Sequence, residues 1–240
     1  VQRQKRNLLL ALFDAETPRS RGLCGGSRAC SHGASQPLTA VLSAYRKIYA
    51  RLQRKEQAAE KMNVYDFNVK AQDGSDVALS QFKGQVLLVV NTATGCGFTP
   101  QYAELQEMYN ELHESGFEIL DFPCNQFADQ APGSDEEIHD FCTGRFGITF
   151  PQYSKIDVNG ENAIPLYKWI TENTKFAGFD GPMGLILRPI VKKMDKDYKN
   201  NGNIKWNFTK ILINKEGEIV ARFEPTADVK MIAEKVKEIL

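Results

Sequence analysis

The chain has 240 residues with 30 basic and 30 acidic side chains, so its formal net charge is zero. The charge is unevenly spread, because residues 1–61 carry 12 Lys and Arg against 4 Asp and Glu, which leaves +8 there and −8 in residues 62–240. No apolar run is long enough to span a bilayer. The charge boundary argues against a single uniform domain.

Residues 1–61 are interpreted as a basic, poorly ordered extension with one candidate helix. Residues 17–37 are rich in Ser, Gly, Arg and Pro, which is typical of disorder. Residues 38–61 repeat apolar side chains every three or four positions, which predicts a helix. Three hypotheses stay open for the extension: a targeting or membrane-surface segment, a partner-binding helix, or a segment outside a working protein that starts at Met62. We favour the third.

The cysteines are odd in number and irregular in spacing: Cys24, Cys30, Cys96, Cys124 and Cys142. This pattern does not resemble the framework of a disulfide-stapled secreted protein. We therefore expect a reducing compartment, the cytoplasm, in which any disulfide is transient and catalytic.

The pattern from Met62 onward predicts an α/β domain over residues 62–240. Apolar and polar residues alternate over 64–69, and Asp73-Gly74 then turns the chain into an apolar segment at 77–79. Two short alternating segments joined by a tight turn predict a β-hairpin at the start of the domain.

A strand, a helix and a second strand follow the hairpin. Residues 86–90 are consecutive apolar residues, mostly β-branched, as in a strand covered on both faces. Thr99 and Pro100 are suited to the N-cap and first position of a helix, which should end near Gly116. Residues 117–122 are the second strand, and a βαβ unit of this length predicts that the two strands are parallel.

Cys96 lies in a glycine-flanked turn between the first strand and the helix. Unpaired N–H groups and the helix dipole favour negative charge there, so we expect this thiol to ionise more easily than a free cysteine. The alternative is a small residue that only fills a loop. Residues 123–133 form a polar loop after the second strand, and it should face Cys96 because the carboxyl ends of parallel strands meet at one edge.

After this loop we predict a helix that begins with a capping box formed by Ser134 and Glu137, and then a strand that ends at 157–158. A helix from Pro165 to Ile170 and an irregular segment over 174–203 follow. The last predicted elements are two hairpin strands over 204–213 and 218–223 and a helix over 228–240.

Three motifs carry a family resemblance. They are Thr94-Gly95-Cys96-Gly97-Phe98-Thr99-Pro100-Gln101-Tyr102, Phe122-Pro123-Cys124-Asn125-Gln126-Phe127, and Ile204-Lys205-Trp206-Asn207-Phe208-Thr209-Lys210. In this order and spacing they resemble the signatures of the glutathione peroxidase family, and the likeness runs from about Met62 to Leu240. The resemblance implies a thioredoxin-like fold, with a central mixed sheet flanked by helices and an N-terminal hairpin.

The resemblance also implies a role for each matching residue. Cys96 matches the peroxidatic residue, and Gln130, Trp206 and Asn207 complete a catalytic tetrad of hydrogen-bond donors around its sulfur. Cys142 matches the resolving cysteine of members that thioredoxin reduces, although its apolar neighbours also suit a core residue. Trp206 alone would suit the core, and Gln130 alone would suit a turn.

The implied function is a thiol peroxidase that reduces hydrogen peroxide and organic hydroperoxides. Cys96 would become a sulfenic acid, a disulfide with Cys142 would follow, and thioredoxin would reduce it. Three alternatives stay open: a glutathione-dependent peroxidase with a structural Cys142, a peroxide sensor that passes its disulfide to a regulator, and a non-catalytic binding module. No metal, organic cofactor, nucleic acid or stable membrane insertion is implied, and the chain could be a monomer or a dimer.

Overall fold

The structure, a computed structural model, describes residues 47–48 and 62–240. The predicted extension over 1–61 and its candidate helix over 38–61 lie outside the described residues, apart from those two positions. Within the part of the chain that is described, no helix is long and apolar enough to cross a membrane.

Two sheets form the β-structure of the described residues. Strands β1 (Asn68–Lys70) and β2 (Asp76–Ala78) pair antiparallel as a hairpin. The central sheet has the order β4-β3-β5-β6. Its strands are β3 (Val86–Thr92), β4 (Phe117–Pro123), β5 (Lys210–Ile213) and β6 (Ile219–Phe223). Strand β3 runs parallel to β4 and antiparallel to β5, so the predicted mixed sheet, hairpin and βαβ unit are confirmed. The first strand of the hairpin is shorter than predicted, because Val64–Asp66 form a 3-10 helix that Asn63 caps.

Over residues 62–240, five α-helices accompany the sheet: α1 (Gln101–Leu112), α2 (Asp135–Phe146), α3 (Pro165–Asn173), α4 (Gly181–Met194) and α5 (Val229–Lys237). Helix α1 connects β3 to β4 and contacts α2 and α5. Ser134 and Glu137 form the predicted capping box at the start of α2, with both reciprocal hydrogen bonds present.

The core is built on the two parallel strands. Every residue of β3 and of β4 is buried, as expected for strands covered on both faces. Each aliphatic side chain buried there contributes about 1.5–3 kcal/mol to folding. A rigid pair of strands therefore supports the loops at their carboxyl ends.

Two predictions, for the turn after β3 and for the start of β5, are wrong. Thr99 does not cap α1, whose N-cap is Pro100. Its hydroxyl instead donates to the Ala93 carbonyl oxygen, within the turn that holds Cys96. The strand predicted over 204–213 begins only at Lys210, because Phe208 has a φ of 66° and interrupts the extended backbone.

Two further predictions in the second half are corrected. The segment over 174–203 is not wholly irregular, since its glycines and prolines surround the 14-residue helix α4. No strand ends at residues 157–158. The extended chain before them makes only isolated bridges, from Tyr153 to Ala71 and from Gln152 to Asp121.

Candidate active site

The turn after β3 holds Cys96 in a fixed conformation. The Cys96 N–H donates to Thr99 Oγ1 at 3.0 Å, and the Thr99 hydroxyl donates to the Ala93 carbonyl oxygen at 2.8 Å. The Phe98 N–H donates to Cys96 Sγ at 3.4 Å. Cys96 is a free thiol and only 7% exposed. A small backbone cradle therefore holds its sulfur just below the surface.

The loop after β4 faces this turn, as predicted. The Gly95 N–H donates to the Gln130 carbonyl oxygen at 2.8 Å. A Cβ at Gly95 would lie 3.2 Å from that oxygen, so the close approach favours glycine. Asn125 braces the loop from within, because its Oδ1 accepts from Ala131 N and its Nδ2 donates to Asp129 Oδ1.

The chain before β5 presents Trp206 and Asn207 to the same edge. The Trp206 carbonyl oxygen accepts from Asn91 Nδ2 at 3.3 Å and from Thr209 Oγ1 at 3.0 Å. The Phe208 N–H donates to the Asn91 carbonyl oxygen at 2.6 Å. The left-handed backbone of Phe208 is therefore anchored to β3, and such strain is often stored at functional sites.

The structure brings four residues predicted for the site together. The Asn207 amide Nδ2 donates to Gln130 Oε1 at 3.1 Å, and Asn207 is fully buried. Burial raises the pKa of the Cys96 thiol, and the nearby polar side chains of Trp206 and Asn207 lower it. Asn207 therefore lies close to the Cys96 sulfur and is hydrogen-bonded to Gln130.

Burial is nevertheless the largest influence on the Cys96 thiol, and it raises the pKa above the ordinary value. The Phe98 N–H, Trp206, Asn207 and the positive charge of Lys210 all lower the pKa, without offsetting burial. The sequence-based expectation of a thiol that ionises more easily than a free one is therefore wrong for this state.

Lys210 is a residue of the site that sequence reasoning missed. It is fully buried at the start of β5, where its Nζ donates to Gln101 Oε1 at 2.6 Å and to the Phe208 carbonyl oxygen at 2.8 Å. Burial lowers its pKa to about 7, while Glu104 and Glu224 favour its charge. The available signal was a lysine directly before the apolar strand Ile211–Ile213.

Known proteins share these features of sequence and fold. The glutathione peroxidase family model matches residues 64–171. The chain is 41% identical over 179 residues to the glutathione peroxidase homolog BsaA of Bacillus subtilis (strain 168), covering 75% of this chain and 99% of that protein. The chain belongs to the glutathione peroxidase family. It is therefore a peroxidase, an oxidoreductase.

Two further similarities extend this assignment. The chain is 44% identical over 177 residues to the hydroperoxy fatty acid reductase gpx1 of Synechocystis sp. (strain ATCC 27184 / PCC 6803 / Kazusa), covering 74% of this chain and 95% of that protein. The crystal structure of T. cruzi GPX1 matches with 36% sequence identity and a TM-score of 0.53, over 74% of this chain and 96% of that chain. The crystal structure of Trgpx in apo form matches with 34% sequence identity and a TM-score of 0.54, over 75% of this chain and 96% of that chain. The thioredoxin-like fold of the peroxidase is confirmed.

Cys142 of the peroxidase has different neighbours from the other four predicted residues. It is a free, fully buried thiol on α2, beside Tyr102 and Gln152. Burial, and then the charge of Asp121, raise the pKa of this thiol to about 11. Cys142 therefore lies in a pocket of its own, as a protonated thiol.

Asp121 is the centre of that pocket and was also missed. This buried carboxylate accepts from Thr92 Oγ1 at 2.5 Å, Tyr102 Oη at 3.0 Å and Gln152 Nε2 at 2.7 Å. Burial raises its pKa to about 6, although the three donors lower it. An acidic residue inside the apolar strand over 117–122 was the available signal.

Proposed function

We propose that the chain is a two-cysteine thiol peroxidase, with Cys96 as the residue that attacks the peroxide. The observation that carries this proposal is the convergence of Trp206 and Asn207 on the Cys96 sulfur, with Gln130 hydrogen-bonded to Asn207. These side chains supply fixed N–H donors in a largely buried site, where they stabilise developing negative charge most effectively. Gly95 keeps the two loops close enough for that convergence.

The first half of the proposed cycle oxidises Cys96. The Cys96 thiolate attacks one peroxide oxygen, the O–O bond breaks, and the electron pair of that bond leaves on the second oxygen as hydroxide or alkoxide. That oxygen takes up a proton and departs as water or alcohol, and Cys96 becomes a sulfenic acid. Donors from Trp206 and Asn207 stabilise the thiolate before the attack and the charged leaving oxygen during it.

The second half of the cycle uses Cys142. Its thiolate attacks the Cys96 sulfenic sulfur, hydroxide leaves and takes a proton to become water, and a disulfide joins the two residues. A dithiol protein of the thioredoxin class then reduces this disulfide by thiol exchange. Because Cys142 is buried beside Tyr102 and Gln152, part of α2 must open before it can react.

The proposed substrates are hydrogen peroxide and organic hydroperoxides. The name of the Synechocystis relative, a hydroperoxy fatty acid reductase, supports the inclusion of lipid hydroperoxides. A reducing compartment, the cytoplasm, suits a cycle in which the disulfide is transient.

A coupled assay tests the proposal. Peroxide-dependent NADPH oxidation is measured with thioredoxin and thioredoxin reductase, and separately with glutathione and glutathione reductase. We expect turnover with thioredoxin, no turnover for Cys96→Ser, and loss of at least 100-fold for Cys142→Ser. Cys124→Ser is the matched control, because Cys124 is also a buried free cysteine.

The alternatives give different results in the same assay. Equal turnover of Cys142→Ser with glutathione would make Cys142 structural and the enzyme a one-cysteine, glutathione-dependent peroxidase. Stoichiometric oxidation of Cys96 without turnover in either system would favour a peroxide sensor. Absence of any reaction between Cys96 and peroxide would favour a binding module.

A further inference from the structure

Helix α4 has an exposed apolar surface, which we call the α4 surface. Nine large apolar side chains are exposed among the described residues, and five of them lie on this one helix. They are Met183, Leu185, Ile186, Ile190 and Met194. Leu185 is 67% exposed and Ile186 is 56% exposed. A cluster of this kind on one element commonly marks an interaction site.

The helix is held on the domain by its other face. Gly184, Leu187 and Val191 are buried at helical spacing. A Cβ at Gly184 would lie 2.9 Å from Cβ of Phe179, so this glycine allows the helix to approach closely. Arg188 Nη2 donates to the Phe179 carbonyl oxygen at 2.9 Å. The α4 surface therefore belongs to an anchored helix whose own core contacts are already made.

The charge around the α4 surface is positive in an otherwise acidic domain. Residues 174–205 contain seven Lys and Arg against three Asp, which gives a formal charge of +4 where residues 62–240 as a whole carry −8. Helix α4 itself contains Arg188, Lys192 and Lys193 and no acidic residue. Both lysines are exposed in the last turn. This arrangement complements an anionic surface and opposes pairing with a second, equally basic copy.

We propose that the α4 surface is a docking site for an anionic lipid bilayer. Exposed aliphatic side chains beside lysines are the features of a helix that lies in the interface plane, with its apolar residues in the acyl boundary and its lysines at the headgroups. Each lysine near an anionic bilayer strengthens binding by about fivefold. One short helix gives weak, reversible, salt-sensitive attachment.

The α4 surface is linked to the peroxidase site. Asp195 follows the last residue of α4, and its Oδ2 accepts from Lys205 Nζ at 3.2 Å. Lys205 is buried and directly precedes Trp206. Docking would bring the chain to the bilayer, where lipid hydroperoxides are found. This last consequence rests on the proposed function, whereas the binding itself does not.

Vesicle sedimentation with the full chain tests the proposal. Vesicles of phosphatidylcholine with 30–40% phosphatidylglycerol are compared with pure phosphatidylcholine at about 0.1 M salt, where the screening length is about 10 Å. We expect binding to the anionic vesicles that weakens at least tenfold in the pair Leu185→Ser/Ile186→Ser and in the pair Lys192→Glu/Lys193→Glu. The control pair Val220→Ser/Met231→Ser removes apolar residues of similar exposure from β6 and α5 and should bind normally.

The outcomes separate this proposal from the proposed function. Equal binding of the α4 variants, or no binding by the unmodified chain, would overturn docking by α4. A concentration-dependent dimer that the α4 variants abolish, without vesicle binding, would also overturn it in favour of self-association. Reduction of soluble hydrogen peroxide should be the same in all of these variants, because none of the changed residues contacts the Cys96 site. Vesicle binding without peroxidase turnover would leave docking standing and reject the proposed function.

Discussion

Asn207 Nδ2 donates a 3.1 Å hydrogen bond to Gln130 Oε1, and this bond joins the chain before β5 to the loop after β4. The same Asn207 side chain lies near the Cys96 sulfur and lowers the pKa of its thiol, although burial raises that pKa more strongly. Among the described residues its Oδ1 has no hydrogen-bond partner, although Asn207 is fully buried. A buried oxygen without a partner destabilises the fold, and here it accompanies an amide nitrogen that is held by Gln130.

Asn207→Ala should lower kcat/KM for hydrogen peroxide by about 100-fold, because one preorganised donor to the reacting centre is removed. Gln130→Ala should lower kcat/KM by a smaller factor. In the double variant the fold-decrease in kcat/KM should be smaller than the product of the two single decreases, because the residues act as a pair. Stopped-flow oxidation measures these values, with the exposed Asn68→Ala as the control. Independent, multiplicative losses would show that the Asn207–Gln130 bond has no part in the reaction.

Lys210→Met should slow alkylation of Cys96 below about pH 7, because the positive charge of Lys210 favours the Cys96 thiolate in the unmodified protein. Burial lowers the pKa of Lys210 itself to about 7, so this lysine carries its charge only below that pH, and the rates of the two proteins should converge above it. The rate of Cys96 alkylation against pH measures the difference. Lys205→Met is the matched control, because Lys205 is also buried. Equal rates below about pH 7 would make Lys210 a structural brace only.

Asp121→Asn should change how stability depends on pH. Burial raises the folded pKa of Asp121 to about 6, above the ordinary 3.8, so the folded state holds this proton more tightly than the unfolded state. Its contribution is fully present below about pH 4 and is lost as pH rises through about 6. The stability of the unmodified protein relative to Asp121→Asn should therefore fall by about 3 kcal/mol over that window. Urea unfolding at several pH values measures the difference, and a constant difference would contradict the assignment.

Ala128→Gly should stabilise the protein by about 0.5–1 kcal/mol. Ala128 has a φ of 55°, in the left-handed region where a Cβ destabilises the folded state by about 1–2 kcal/mol. Glycine removes this strain, but its greater conformational entropy in the unfolded state offsets about half of the stabilisation. Thermal unfolding measures the change. Ala131→Gly, at a fully buried site in the same loop, should destabilise instead. A loss of stability in Ala128→Gly would show that the loop depends on the alanine methyl group.

The elements of the fold that were predicted well are those whose structure depends on local sequence alone. The apolar residues of β3 specify a buried strand by their chemistry alone, and Ser134 with Glu137 specifies the start of α2 through two local hydrogen bonds. Helix α4 was missed because Pro182, Pro189 and its glycines argue locally for a loop. Its helical state depends on packing, including the close contact of Gly184 with Phe179.

The candidate site likewise has a part that the sequence predicted and a part that it did not. The order and spacing of the motifs predicted Cys96, Gln130, Trp206 and Asn207, and the structure places them together. The raised pKa of the Cys96 thiol could not be predicted, because it depends on burial by residues distant in sequence. Lys210 and Asp121 were missed for the same reason, since only the folded structure shows that these charged residues are buried.

The most direct test of the two-cysteine cycle is mass spectrometry of the full chain after one equivalent of hydrogen peroxide, with peptide mapping under non-reducing conditions. We expect a single Cys96–Cys142 disulfide in the unmodified protein, a sulfenic acid at Cys96 in Cys142→Ser, and the normal disulfide in Cys124→Ser. A stable Cys96 sulfenic or sulfinic acid beside a free Cys142 thiol in the unmodified protein would contradict it.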